Sequence, residues 1–170
     1  MIRSPGLTAA PVDDSLVAAL AGCHERIRRF TALAARLAEA TSAPLAERRE
    51  AAAAVVRYFT VALPLHAADE DDSVGPRLRG ASAAVDAALV LLAREHTEHA
   101  AVIAPVVAAC QAIVATPACA PAHLAEAAAA LAAAFASHLA LEEAVIFPAV
   151  AALADDVAAT IQAEMRARRR

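Results

Sequence analysis

The sequence predicts an all-α fold, and its composition gives three reasons for that class. Apolar residues make up 60% of the 170 residues, most of them alanine, whereas aromatic residues contribute only 3%. Alanine is the strongest helix former and fills sheet cores poorly. The four glycines leave little material for tight hairpins. A chain of this length is expected to form one domain around a single core.

The first two helices are predicted from apolar periodicity and from the residues that interrupt it. The polar residues 13–15 precede an apolar-periodic stretch, as at a helix start. The apolar positions along this helix are Leu16, Leu20, Ile27, Phe30, Leu33 and Leu37. Residues 41–44 end it. A second helix is expected from about Pro44 to Glu70, with a bend at Pro64, where a backbone donor is missing.

A turn is predicted over residues 71–75, after which Pro76 is expected to start a third helix. This helix continues to about Ala115, with a kink near Pro105. A break over 116–121 separates it from the fourth helix. The fourth helix is expected over 122–146, and Pro148 then begins a shorter terminal helix.

Four long helices with short connections favour an up-down-up-down four-helix bundle with a short extra C-terminal helix. The predicted organisation has three parts. An N-terminal tail occupies residues 1–11, the bundle occupies 12–150, and a C-terminal helix with a basic tail occupies 151–170.

A repeated motif is the most informative feature of the chain. Residues 66–76 read HAADEDDSVGP and residues 138–148 read HLALEEAVIFP. Each block has a histidine, a glutamate four residues on, a second acid, and a proline ten residues after the histidine. Another histidine lies 42 residues upstream of each block, at His24 and His96. The repeat therefore places four of the six histidines and two glutamates in one plan.

The repeated residue types indicate a transition-metal site. Residues four apart share one helix face, so His66 and Glu70 project together, as do His138 and Glu142. Imidazole and carboxylate are the ligands that a borderline transition metal prefers when thiolate is absent. Buried carboxylates are costly unless a cation compensates them. Glutamates that bridge two ions would fix a metal–metal separation of about 3.5–4 Å.

These motifs resemble the hemerythrin-like family with its HHE cation-binding domain, over about residues 12 to 150. The resemblance implies a four-helix bundle that holds a non-haem di-iron centre, bridged by carboxylates, and that binds dioxygen or a related small molecule. The ligands it implies are His24, His66, Glu70, His96, His138 and Glu142. Members of the family act as oxygen carriers or sensors, or in iron storage, or in handling nitric oxide or peroxide.

One position departs from the oxygen-carrier pattern, which has two histidines four apart on the third helix. Here Ala100 lies four residues after His96, and the extra histidine, His99, lies only three residues on. The six implied ligands and a bridging solvent fill about ten of the twelve positions of two octahedral ions. His99 is a possible further ligand, and a filled position there favours simple dioxygen binding over turnover.

Several alternatives remain open. His99, with Glu95 four residues before it, could replace His96. Asp71 or Glu143 could replace a bridging glutamate, although solvent exposure is the default expectation for both. Tyr58 is expected to fill the core, with a hydrogen bond to the metal pocket as the sharper alternative.

Two further expectations concern residues around the motif, namely one histidine and the phenylalanines. His123 lies outside it and is expected to be exposed. The phenylalanines are expected to form the apolar walls of a dry pocket; they are Phe30, Phe59, Phe135 and Phe147.

Charge and cysteine content bound the partners and the compartment. The net charge of −4 gives no field that attracts nucleic acid. The basic run at 166–170 is expected to interact with the dipole of its own helix. The uncharged stretch 100–122 is expected to be a buried helix and a loop, so no membrane partner is predicted. The start lacks a signal-peptide pattern, and three unpatterned cysteines favour a cytoplasmic location.

Two functions of different classes follow from the sequence. The first is a di-iron, dioxygen-reactive protein, a carrier, sensor or redox protector. The second is a module for storing or sensing iron, zinc or manganese without oxygen activation, since nitrogen and oxygen ligands do not select the metal. A weaker third reading is a helical interaction domain with incidental histidines. The motif leaves open whether the protein is an enzyme, which protein partner it has, and its oligomeric state.

Overall fold

A computed structural model describes residues 15–170, and its elements in that range are all helical. The predicted all-α class is thus confirmed. The predicted tail at 1–11 and the predicted helix-start residues 13–14 lie outside the described residues. Five helices follow in order: α1 Leu16–Glu39, α2 Leu45–Leu78, α3 Ala83–Ala115, α4 Leu124–Ala151 and α5 Asp155–Ala167.

The first helix begins where the polar residues predicted it. The Ser15 hydroxyl accepts a hydrogen bond from the Ala18 N–H at 3.1 Å, which satisfies one of the free donors of the first turn. The helix ends at Glu39, before the predicted break at 41–44. The predicted break at 116–121 also separates α3 from α4. Helix α3 continues through Pro105 without interruption.

The turn predicted at 71–75 is wrong, because α2 continues through Pro76 to Leu78. The turn lies at 79–82 instead. Gly80 adopts a φ of +80° there, which glycine tolerates because it has no Cβ. The Ser82 hydroxyl then accepts a hydrogen bond from Val85 N–H at the start of α3.

Three π-helical turns lie within α2 and α4, and each ends two residues before a proline. They are Tyr58–Ala62, Asp69–Val74 and Glu142–Ile146, followed by Pro64, Pro76 and Pro148. A proline ring clashes with the carbonyl four residues earlier in an α-helix, and the wider turn accommodates it. Two of these turns close on the repeated glutamates. Gly75 N–H donates to the Glu70 carbonyl, and Phe147 N–H donates to that of Glu142.

Because of this accommodation, Pro148 does not begin the terminal helix, contrary to the sequence-based expectation. Helix α4 continues through Pro148 to Ala151, and the chain breaks at 152–154 before α5. The prolines of the repeat therefore widen continuous helices instead of starting new ones.

Two apolar clusters lie on opposite sides of a polar layer. Helix α1 packs against α2 and α4, and α3 also packs against both. The larger cluster includes Ile27, Val55, Val106 and Leu131, and the smaller includes Leu20, Val74, Leu92 and Ile146. Along each of these four helices, the histidines and glutamates of the motif fall between the two clusters or at their border.

Helix α5 packs on the smaller cluster through Ile161 and Met165, which are buried. The arginines that follow α5 reach Asp69, which is fully buried beside Glu70. Arg168 Nη1 lies 3.0 Å from Asp69 Oδ1, and Arg169 forms an ion pair with the other oxygen. Arg169 also donates to the Met165 carbonyl, as the helix-dipole expectation implied. The basic run thus neutralises a buried carboxylate as well.

By length and composition alone, three helices are long and apolar enough to cross a membrane: Leu45–Leu78, Ala83–Ala115 and Leu124–Ala151. The uncharged stretch 100–122 forms the end of α3 and the following break, as expected, but it is buried only at Val106, Ala109, Cys110 and Ile113.

Candidate metal centre

The fold brings the six residues of the repeated motif together in the polar layer. Their ligand atoms form two clusters, in each of which all the atoms lie within 4.8 Å of one another. The first cluster consists of His24, His66, Glu70 and Glu142. The second consists of His96, His138, Glu70 and Glu142. Both clusters therefore share both glutamates, and each takes its two histidines from one repeat.

The inner nitrogens of the histidines face the glutamate oxygens. His24 Nε2 lies 3.0 Å from Glu142 Oε2, and His138 Nε2 lies 3.5 Å from Glu142 Oε1. On the other side, Nε2 of His66 and Nε2 of His96 each lie 3.3 Å from an oxygen of Glu70. Each glutamate thus contacts one histidine of each repeat, as a bridging carboxylate would.

Several of these facing atoms are buried without a hydrogen bond. They are His24 Nε2, His66 Nε2, Glu70 Oε2 and Glu142 Oε2. Buried polar atoms are normally hydrogen-bonded. Here the lone pairs of the histidine nitrogens and glutamate oxygens point at one another with no proton between them, so these atoms need another partner. A cation satisfies all four atoms, and this donor set fits a borderline transition metal. The role of the six residues as metal ligands remains a prediction.

Three of the four histidines also have a carboxylate on the outer nitrogen. Nδ1 of His24 lies 2.9 Å from Glu143, and Nδ1 of His96 lies 3.0 Å from Asp71. Nδ1 of His138 lies 2.9 Å from Glu95.

A carboxylate accepts the Nδ1 proton and leaves the Nε2 lone pair free for a metal, which is a common arrangement around bound ions. The second acid of each block therefore holds the upstream histidine of the other repeat: Glu143 holds His24, and Asp71 holds His96. Both acids are exposed, as expected.

Burial of two adjacent carboxylates separates the pKa values of Glu70 and Glu142. Burial and the negative charge of Glu142 raise the pKa of Glu70 well above its usual value. Burial also raises the pKa of Glu142, but the close His24 and the neighbouring histidine charges outweigh it and leave that pKa lowered. Burial lowers the pKa of His66 to about 3, so its ring is neutral near pH 7. Without a cation, the two glutamates cannot both ionise cheaply.

His99 lies beside the second cluster and is not part of it. Its ring centroid is 4.8 Å from that of His138 and 4.4 Å from that of Phe135. The ligand atoms of His99 lie within 4.8 Å of those of Glu95 and His138, and these three residues form a separate group. Burial lowers the pKa of His99 to about 4. His96 occupies the second cluster, which favours the equal-spacing register over the alternative with His99.

The other residues singled out in the sequence surround the site. Tyr58 is buried in the larger apolar cluster and stacks on Phe30 with ring centroids 4.2 Å apart, in agreement with a packing role. The Phe147 ring lies 4.8 Å from that of His24. His123 is exposed just before α4, as expected.

Sequence reasoning missed the roles of Glu95 and Asp69. Glu95 adjoins His96 in sequence, yet its side chain contacts His138 on another helix. No rule of sequence spacing predicts this contact. Asp69 directly precedes Glu70, and its arginine partners lie about a hundred residues away along the chain. The holding role of Asp71 and Glu143 had a visible signal, since both blocks repeat an acid at that place.

Comparison with known proteins adds an independent finding. The family model described as Hemerythrin HHE cation binding domain matches residues 15–150, and it matches residues 87–169 as well. A comparison with curated proteins finds no match. The first match spans most of the chain and includes all six residues of the two clusters. The chain belongs to the hemerythrin HHE cation-binding family.

Proposed function

We propose that this protein holds a pair of non-haem iron ions between its four long helices and binds dioxygen or a related small molecule there. The observation that carries the proposal is the sharing of both glutamates by two histidine pairs. One ion would be held by His24 and His66, the other by His96 and His138. Glu70 and Glu142 would bridge them.

The residues of the chain prepare the site for this role. An iron pair supplies affinity for dioxygen and redox chemistry when bound. The outer carboxylates orient three histidines, as described above. The apolar clusters on both sides of the site lower the local dielectric, which strengthens the attraction between the glutamates and a cation. With four histidines in the two clusters and His99 to one side, we favour sensing or redox protection over simple oxygen carriage.

The second candidate is a metal storage or sensing module that binds iron, zinc or manganese without oxygen activation. The observation that favours it is the ligand set itself. Imidazole nitrogens and carboxylate oxygens bind several divalent metals, and the intrinsic order of affinity places iron below zinc.

Anaerobic loading with two equivalents of Fe(II), followed by air, separates the candidates. We expect two irons per chain and a new charge-transfer absorption in the near-ultraviolet and visible range. Stoichiometric iron without any spectral response to air would favour storage. His66→Ala and Glu142→Ala should lose metal, while the exposed His123→Ala should retain it. Unchanged metal content in both site variants would contradict both candidates.

The same proposal extends to topology and location. We infer that the four long helices alternate in direction, because short connections join helices that contact each other. A cytoplasmic protein without nucleic-acid or membrane partners is in keeping with three free cysteines and with arginines that pair with Asp69.

A further inference from the structure

A groove between α2 and α3 opens from the surface to the predicted metal ligands. Its volume is about 660 Å³. Sites for small organic ligands in proteins span roughly 300–1,000 Å³. A diatomic gas needs only a small part of this space, so the groove has room for a larger occupant.

The groove exists because the facing side chains are small. Helix α2 packs closely on α3 along Leu45–Arg57. Nearer the metal ligands, the alanines that line the gap are Ala67, Ala68, Ala100 and Ala104. Larger apolar side chains form the walls, among them Phe59, Leu63, Ile103 and Val107, and four histidines line the inner end. An apolar occupant would bury surface that is otherwise wet.

His66 supplies a polar atom without a partner in this lining. Its side chain is 4% exposed, and its Nδ1 has no hydrogen-bond partner among the described residues. When Nε2 faces a cation, Nδ1 carries the proton and is a donor in need of an acceptor. The outer nitrogens of the other three histidines already have carboxylates. This Nδ1 is itself closed to a molecule the size of water, so an oxygen of an occupant would reach it only after a shift of the groove lining.

The mouth of the groove restricts the charge of the occupant. Asp71 and Asp72 line it, and both side chains are exposed. Asp71 contacts His96 and Asp72 lies 3.9 Å from Arg168, but both carboxylates remain exposed at the mouth. They disfavour an anionic molecule there relative to an uncharged or positively charged one.

We propose that this groove binds a mainly apolar organic molecule that carries a neutral or cationic polar group, beside the metal pair. The position of the occupant next to metal rests on the proposed function, whereas its binding in the groove does not. The bound molecule would serve as the substrate or the signal of the neighbouring metal site.

The neutral fluorophore N-phenyl-1-naphthylamine, titrated into the full-length protein, is the primary probe. We expect saturable binding of one probe per chain with an increase in emission. Decanol and decylamine should displace it, and decanoate should compete at least tenfold less well. Absence of saturable binding, or preferential displacement by decanoate, would overturn the proposal.

Filling the groove gives the matched test. Ala100→Leu and, as a second variant, Ala104→Leu should weaken probe binding at least tenfold. Ala101→Leu, on the same helix at an exposed position outside the groove, should bind the probe normally. Circular dichroism checks that each variant folds. Equal binding by both groove variants would contradict the proposal, as would dimerisation of the wild type that Ala100→Leu abolishes.

Metal loading separates this inference from the proposed function. Co(II) bound at the two clusters should quench the emission of the bound probe, whereas Zn(II) should not. Probe binding without any metal binding would leave the groove intact and refute the metal pair. Metal binding without probe binding would refute the groove alone.

Discussion

Carboxylates on the outer nitrogens hold three of the four histidines of the site, and they are the contacts that a mutation can remove without touching a predicted ligand. Glu143→Gln keeps the size of the side chain but weakens the acceptor on Nδ1 of His24. We expect metal affinity to fall roughly 10–100-fold, as is typical when such a partner is lost. Competition with a chelating dye measures the affinity for Zn(II).

The control for this change is Glu25→Gln, which alters an exposed acid directly after His24. It should leave the affinity unchanged. Asp71→Asn should repeat the effect at His96, since the two repeats use the same device. If the Glu143 and Asp71 variants both bind Zn(II) as tightly as the wild type, these acids are only surface residues.

Glu70 makes metal binding depend on pH in a defined direction. Because its pKa is raised in the folded, metal-free protein, its contribution to stability is present below its unfolded pKa and is lost as pH rises through the folded value. A bound cation interacts with the ionised Glu70 carboxylate and so compensates for the stability that is lost at high pH. We therefore expect Zn(II) to raise the melting temperature more at pH 8 than at pH 6.

The measurement is thermal unfolding with and without Zn(II) across this pH range. Release of protons on binding, seen as a dependence of the binding enthalpy on the buffer, should accompany it. Glu70→Gln, which has no proton to release there, should flatten the pH dependence. A stabilisation that decreases from pH 6 to pH 8 would contradict this assignment.

At the scale of the elements, the π turn Asp69–Val74 is attached to the end of α5. Arg168 contacts both Asp69 and Ser73 in this turn. The double variant Arg168→Ala/Arg169→Ala would leave a buried carboxylate without a counter-charge. We expect it to lower the free energy of unfolding by about 3 kcal/mol, as for other broken buried pairs. Chemical denaturation measures this value.

Two variants test the cause of that loss. Arg170→Ala removes a neighbouring exposed charge and should have little effect. Adding Asp69→Asn to the double variant removes the buried charge and should restore part of the lost stability. A double variant as stable as the wild type would mean that α5 is held by Ile161 and Met165 alone.

At the scale of the whole molecule, a polar layer divides the core into two apolar clusters. A layer of ionisable groups inside a small protein is a liability without a cation, because desolvation opposes every charge. We expect Zn(II), at a free concentration 100 times its dissociation constant, to stabilise the fold by about 2.7 kcal/mol per bound ion. The denaturation midpoint with and without a chelator measures this.

The double variant His66→Ala/Glu142→Ala serves as the control and should show no shift with Zn(II). Iron is best avoided here, since its oxidation would confuse the unfolding baseline. Equal midpoints for the metal-bound and chelated wild type would show that the layer is stable without an ion.

The sequence by itself determined the helical class and the six residues of the two clusters. Alanine content and apolar period act locally, and the four-residue spacing of histidine and glutamate sets a common helix face before any tertiary contact forms. The prediction from sequence was wrong at Pro76 and Pro148. Proline removes a backbone donor, but this alone does not determine whether a helix ends or widens there. A π turn needs the packed neighbours that hold it.

Only the tertiary structure decided which side chains meet across helices. It paired Glu143 with His24, Asp71 with His96 and Glu95 with His138, and it left His99 on the edge of the site. It also joined Asp69 to the arginines that follow α5. These contacts depend on the rotation and spacing of packed helices, which small differences in side-chain volume set, and no pattern along a single helix encodes them.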